Sequence, residues 1–226
     1  DASTVVYRER SSNALIVNRE GVDHVLGYHS VLDTQQLFFR VANPRPERRA
    51  LRISPDGRVV VFVATGEFPG GSPFLAQVFR WEAGDGLENI SAPPDGSPIT
   101  ANASIGAYPH LLPGDPREEF LHNHRGKTLE GRVMSDDGSR VFFETTQALV
   151  DRDTNGLTDV YEWHDGEINL VSPGTGGKAL YHESSADGKT VFFQTFDRLL
   201  PEVDRNAHRD VYVAQPNGGF TPPPPP

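Results

Sequence analysis

The stretch Asp151–Glu162 reads Asp-Arg-Asp-Thr-Asn-Gly-Leu-Thr-Asp-Val-Tyr-Glu. Oxygen-bearing side chains alternate around one glycine, in the ligand spacing of a calcium loop. Asp151, Asp153 and Asn155 would supply three side-chain oxygens. Leu157 would add its backbone carbonyl, and Asp159 a carboxylate, directly or through water. Gly156 permits the sharp turn such a loop needs at its sixth position. Other features oppose a helix–loop–helix setting. The flanks, "SRVFFETT" before and "DVYEW" after, are strand-like, and position eight is Thr158 rather than an aliphatic residue. If "DVYEW" is extended, Glu162 faces away from Asp159 and cannot close the loop as the bidentate ligand. The second reading is a turn in which Asp and Asn side chains bond to nearby backbone amides without metal. Both readings stay open on the sequence.

A second copy of the pattern follows. Aligning Asp210-Val211-Tyr212 with Asp159-Val160-Tyr161 sets Glu202, Asp204 and Asn206 against Asp151, Asp153 and Asn155; Ala207 replaces the glycine and Val213 the glutamate. His110, His122 and His124 are the other candidate metal ligands, but no third ligand is set by spacing, and "HNHRGK" reads as an exposed polar loop. No G-x-S-x-G elbow is present, so the serines carry no hydrolase signature. "SPGTGGKAL", Ser172–Leu180, has Ala179 after Lys178 and departs from a phosphate loop. Trp81, Trp163, Tyr161 and Tyr212 fall at strand spacing and read as packing residues.

The elements that would position these residues form a repeat. Leu51–Ser91, Gly131–Ser172 and His182–Phe220 each carry Ser-x-Asp-Gly, a β-branched or aromatic run, a variable loop and a second run near Val-Tyr or Val-Phe. Asp56-Gly57, Asp137-Gly138 and Asp187-Gly188 predict tight turns with positive φ. Val59–Val63, Val141–Glu144 and Val191–Gln194 predict strands, and the Phe142-Phe143 and Phe192-Phe193 pairs place an aromatic on each face, as in strands buried between stacked sheets. A further hairpin turns at Asp165-Gly166. Each unit is thus about four short strands, the make-up of a propeller blade. Before Leu51, Thr4–Arg8, Ala14–Asn18, His24–Gly27 and Gln36–Val41 are strand-like and suggest a degenerate blade whose inner strand is missing or supplied from elsewhere. Residues 92–129 form a long inter-blade insertion.

Composition limits the function classes. The 226 residues carry 31 acidic against 21 basic side chains, a net charge of -10, which disfavours nucleic acid or an anionic membrane as the main partner. The absence of cysteine excludes disulfides and thiolate metal sites. No apolar run reaches the ~18 residues of a membrane span. With 22 Gly and 19 Pro the chain is turn-rich, and the final prolines predict a polyproline linker over 221–226 leading to another domain.

"SPDGRVVVF", "SDDGSRVFF" and "SADGKTVFF" resemble the Ser-x-Asp-Gly-x-x-Val-x-Phe core of TolB-like (WD-repeat-like) β-propellers, over about two thirds of the chain. The resemblance implies turn roles for Ser54, Asp56, Ser135, Asp137, Ser185 and Asp187. "DTNG" before "DVY" is similar to repeats in large secreted bacterial surface proteins. The expectation is an all-β protein of about four propeller-type blades over residues 1–220, in a complete or partial ring. It would serve as a non-catalytic, extracellular or cell-surface module that binds a protein or cell-surface ligand, with calcium at Asp151, Asp153, Asn155, Leu157 and Asp159. The alternative is a propeller accessory to a hydrolase, such as a serine peptidase, whose catalytic domain lies elsewhere.

Overall fold

The computed structural model describes residues 3–29, 51–105, 131–202, 204–205 and 208–216. The Gln36–Val41 run, His110, His122, His124 and the 221–226 prolines lie outside them. Among the described residues fifteen strands form four antiparallel sheets. The first holds β1 (Thr4–Arg8), β2 (Ala14–Arg19) and β3 (Val22–His29), with β6 (Gly66–Glu67) at its edge. The second holds β4 (Leu51–Ile53), β5 (Val59–Ala64), β7 (Gln77–Glu82) and β8 (Gly86–Asn89). The third holds β9 (Ala103–Ser104), β10 (Arg140–Thr145), β11 (Asp159–His164) and β12 (Glu167–Leu170). The fourth holds β13 (Ala179–Ser184), β14 (Val191–Thr195) and β15 (Asp210–Ala214).

The side-chain alternation of the middle strands explains how the sheets stack. On β5, Val60, Phe62 and Ala64 share a cluster with Leu15, Val17 and Leu26 of the first sheet. Val59, Val61 and Val63 point the other way, into a cluster with Val141, Phe143, Tyr161 and Trp163 of the third. Phe142 and Val160 then join Tyr181, Val191 and Phe193 of the fourth. Every residue of β5 is therefore buried, as expected of a strand covered on both faces. The sheets pack in chain order. Among the described residues no core cluster joins the first sheet to the fourth. The described residues form an open run of four propeller-type blades.

The repeated Ser-x-Asp-Gly turn is the same three times. Ser54 donates its hydroxyl to Asp56 Oδ1 at 2.6 Å and accepts the Val59 amide at 2.9 Å. Ser135 does so with Asp137 and Arg140, and Ser185 with Asp187 and Thr190. Only the glycine has positive φ, at 70°, 72° and 67° for Gly57, Gly138 and Gly188. Asp137 also accepts the Ser139 amide; together the bonds, Ser135 first, lower its pKa to about 2. Asp56 and Asp187 are lowered for the same reason.

The first blade has the degenerate form expected. Glu20-Gly21 makes the same two-residue turn as Asp165-Gly166, with φ of 52° and 84° against 49° and 89°. This match makes β2 and β3 the counterparts of β11 and β12, and β1 the counterpart of β10. Among the described residues no innermost strand pairs with β1 in this blade. The long insertion has a definite address in the third blade. Ser104 pairs with Glu144, Met134 bridges to Val141 and the Val133 carbonyl accepts the Phe142 amide at 2.8 Å, so the sequence between Ile105 and Arg132 interrupts the innermost strand, rather than simply linking two blades.

Candidate functional site

The loop Asp151–Asp159 connects β10 to β11 and is held by its own side chains. The Tyr161 hydroxyl accepts the Leu149 amide at 3.2 Å and donates to Asp153 Oδ2. Asn155 Oδ1 accepts the Leu157 amide at 2.7 Å, an Asx turn, while its Nδ2 donates to Asp159 Oδ2 at 2.8 Å. Ser172 donates to Asp159 Oδ1 at 2.5 Å and accepts the Val160 amide at 2.9 Å. The amides of Thr154 and Asn155 both reach the Gly174 carbonyl, which ties the loop to the link into the fourth blade.

These bonds sort the five candidate ligands. Asp153 and Asp159 are buried, at 5% and 0% exposure, while Asp151 and Leu157 are exposed. Burial pushes the Asp159 carboxyl up, against the pull of Ser172 and Asn155, and the Asp153 carboxylate adds to the rise. Burial and the bond to Asp153 likewise raise the Tyr161 phenol. Asp153 Oδ1 is buried and has no partner. Glu162 lies on the opposite face of β11, as its strand position requires, and its carboxylate takes Arg140 at 2.5 Å. Among the described residues no group of three or more His, Asp or Glu side chains is disposed to hold a metal ion. His164 is half-exposed beside Asp165, and Trp81 and Trp163 are buried as packing residues.

The other blades show which parts of this loop belong to the fold. In the fourth, Tyr212 donates to Asp204 Oδ2 at 2.9 Å and accepts the Leu199 amide at 3.3 Å, so the Asp–Tyr anchor eight residues apart recurs. In the second, Gln77 stands where Asp159 does; Ser91 donates to Gln77 Oε1 at 3.1 Å and accepts the Val78 amide at 2.9 Å. A neutral amide thus fills the same post, which marks the Asp159–Ser172 bond as a blade fastening. Sequence reasoning missed both the tyrosine anchor and the serine fastening. The signals were present as the Asp153–Tyr161 and Asp204–Tyr212 spacings and as the serines ending the first two repeats.

Segments between blades are fastened similarly. Asp197 accepts the Gly177 amide on both carboxylate oxygens, at 2.8 and 2.7 Å, which explains "SPGTGGKAL" as an inter-blade link. Arg80 reaches from the second blade to the third. It donates to the Gly138 carbonyl at 3.0 Å, pairs with Glu82 and lies 4.6 Å over the Trp163 ring.

No protein-family model matches the chain, and no curated protein matches it. Solved structures do. TolB from Acinetobacter baumannii is similar over 97% of this chain and 40% of its own, with 14% identity and a TM-score of 0.42. A TolB from Agrobacterium tumefaciens matches over 96% of this chain and 59% of its own, with 13% identity and a TM-score of 0.38. The tricorn protease matches over 93% of this chain and 20% of its own, with 12% identity and a TM-score of 0.27. The chain therefore spans between 20% and 59% of the length of these proteins, less than two thirds of each. Among the described residues no helix is long and apolar enough to cross a membrane.

Proposed function

We propose that this chain is a non-catalytic protein-binding and scaffolding module of a secreted or cell-surface protein. The observation that carries this reading is the outer face of the first sheet. Tyr7, Ile16 and Val25 form one cross-strand row there, and Val25 is 56% exposed. On the same face Val5 is 52% exposed and Tyr28 46%. Apolar side chains grouped on one sheet face are a contact surface rather than a solvated one. The test is a photo-crosslinking residue at Val25 in the full-length protein in its native cell, with Leu157, an exposed apolar residue on a loop, as reference. A discrete adduct with another protein from Val25 alone supports the module. An adduct confined to the same chain, or the same products from both positions, overturns it.

Calcium at Asp151, Asp153, Asn155, Leu157 and Asp159 is the finer part of the proposal, supported by the buried, unpartnered Asp153 Oδ1. Binding would require Asn155 Oδ1 to leave the Leu157 amide and Asp159 to release the Asn155 amide. A bound cation would neutralise Asp153 and Asp159 and favour the folded form by linkage. Calorimetric titration, with melts in calcium and in chelator, checks this. A rise worth about 2.7 kcal/mol at a hundredfold excess over Kd, absent in Asp153→Ala, is the expected result. Coincident melts and no heat leave the loop as a turn.

A further inference from the structure

In a chain of net charge -10, two guanidinium groups border one small cavity. Its volume is about 140 Å³, and it lies between the innermost strands of the second and third blades. Arg52 is directly opposite Val61 of β5, and Val61 packs toward the third blade, so Arg52 is turned the same way. Met134 packs toward the second blade, and the alternation of an extended chain puts Arg132 on its side. The two arginines therefore enter the seam from opposite walls. Ile53, Pro55 and Met134 add an apolar lining.

The next seam along shows that blades join here without arginine. Val133 stands where Arg52 does, two residues before the turn serine of its blade, and it is buried against Tyr181 and Phe193. The Tyr181 hydroxyl and, at 2.8 Å, the Ser184 hydroxyl both donate to the Arg132 carbonyl. That seam is closed by apolar packing and hydroxyl bonds, whereas the earlier one keeps a cavity with a cation on each wall. The same bonds, with the Asp136 amide on the Ala186 carbonyl at 2.8 Å, hold the Arg132 wall in place. The Arg132 guanidinium already takes one carboxylate, that of Asp136. The pair is 41% and 50% exposed, so it contributes little, and a guanidinium has five N–H donors, which one carboxylate does not exhaust.

We propose that this seam binds a carboxylate on a short alkyl stem. The Arg52 and Arg132 guanidiniums take its oxygens, and the stem lies against Ile53, Pro55 and Met134. Paired N–H donors of a guanidinium match the geometry of a carboxylate, and an anion between the two arginines removes their mutual repulsion. The cavity is well below the ~300 Å³ at which drug-sized pockets begin, so it takes an acid of a few carbons or the acidic end of a longer molecule. The apolar wall selects against a bare inorganic anion, which would leave that wall in water.

Met134 is the one methionine of the chain and lines the cavity, so its methyl group, labelled with carbon-13, is a single NMR reporter at the site. Titration with propionate should shift this resonance along a saturable curve, and propionamide should leave it in place. Arg52→Gln and Arg132→Gln should each weaken propionate about tenfold, with the thermal midpoint of the parent retained. No saturable shift with propionate, an equal shift with propionamide, or the parent's affinity in either variant overturns the proposal. Inorganic phosphate binding as tightly as propionate also overturns it, since the stem would then contribute nothing. N-acetyl-alanyl-alanine, in which the same carboxylate ends a peptide, separates the two sources of ligand. Binding at least as tight as that of propionate supports the site as one for the end of a partner chain, and no binding supports it as one for free acids.

Discussion

Glu144 shows how one side chain can set the pH response of a blade interface. It is 1% exposed, at the register that Val63 holds in the second blade. Its Oε1 accepts the Tyr181 amide of β13 at 2.5 Å, and its Oε2 is buried without a partner. Burial raises its pKa to about 8, against the opposing pull of the Tyr181 amide and Lys178. The unfolded carboxyl titrates near 4.5, so between these values the folded chain holds a proton that the unfolded chain has lost. This contribution to stability is complete at low pH and is lost as pH rises through about 8. Glu144→Gln should flatten that slope and stabilise the chain by about 1–3 kcal/mol above that pH. Urea midpoints across the range measure it. The turn aspartates act in the opposite sense. Asp137, lowered to about 2, favours the folded chain at neutral pH and loses that effect as pH falls through the value. A fall in stability on strong acidification is the expected signature, and Asp137→Asn should reduce it.

At the scale of the element, two glycines with the same sign of φ have different costs. Gly138 sits at 72°, and a Cβ there would meet Val59 Cγ2 of the neighbouring blade at 2.6 Å. Gly166 sits at 89°, with nothing within 4 Å of the added carbon. Gly166→Ala should cost about 1 kcal/mol, the strain of the left-handed backbone alone. Gly138→Ala adds overpacking and should cost about 2–4 kcal/mol; chemical denaturation of the two variants separates the terms. Local chemistry made the strands from Val59, Val141 and Val191 and their Asp-Gly turns legible in the sequence, because β-branched runs and turn residues act on their immediate neighbours. The Glu20-Gly21 turn was not, since glutamate rarely takes positive φ and only the paired strands reveal the likeness to Asp165-Gly166. The loop Asp151–Asp159 was legible as a set of oxygens. Its donors, Tyr161 and Ser172, were not, because strand pairing and blade closure bring them there.

At the scale of the whole molecule, the sheets pack in chain order, and each core cluster is shared by two consecutive blades. The innermost strand of the third blade is made in two pieces on this frame. Its ends, Ser104 and Met134, pair with Glu144 and Val141, three positions apart on β10 and so about 10 Å from each other. The fourth blade covers the equivalent distance, Leu180 to Ser184, with Tyr181, His182 and Glu183 alone. Joining Ile105 directly to Arg132, which keeps the buried Val133 and the Arg132 carbonyl that accepts the Ser184 amide, should therefore leave the blade folded, with a thermal midpoint within a few degrees of the parent; loss of cooperative melting would show that the intervening residues are structural. The same geometry makes this strand a graft point. Both ends are pinned by pairing to one buried strand, so the entropy of closing the excursion grows only as the logarithm of its length, about 0.6 kcal/mol for each doubling. Selection could lengthen, shorten or exchange the material between Ile105 and Arg132 at little cost to the core, giving a stack of sheets one place where new surface can be tried.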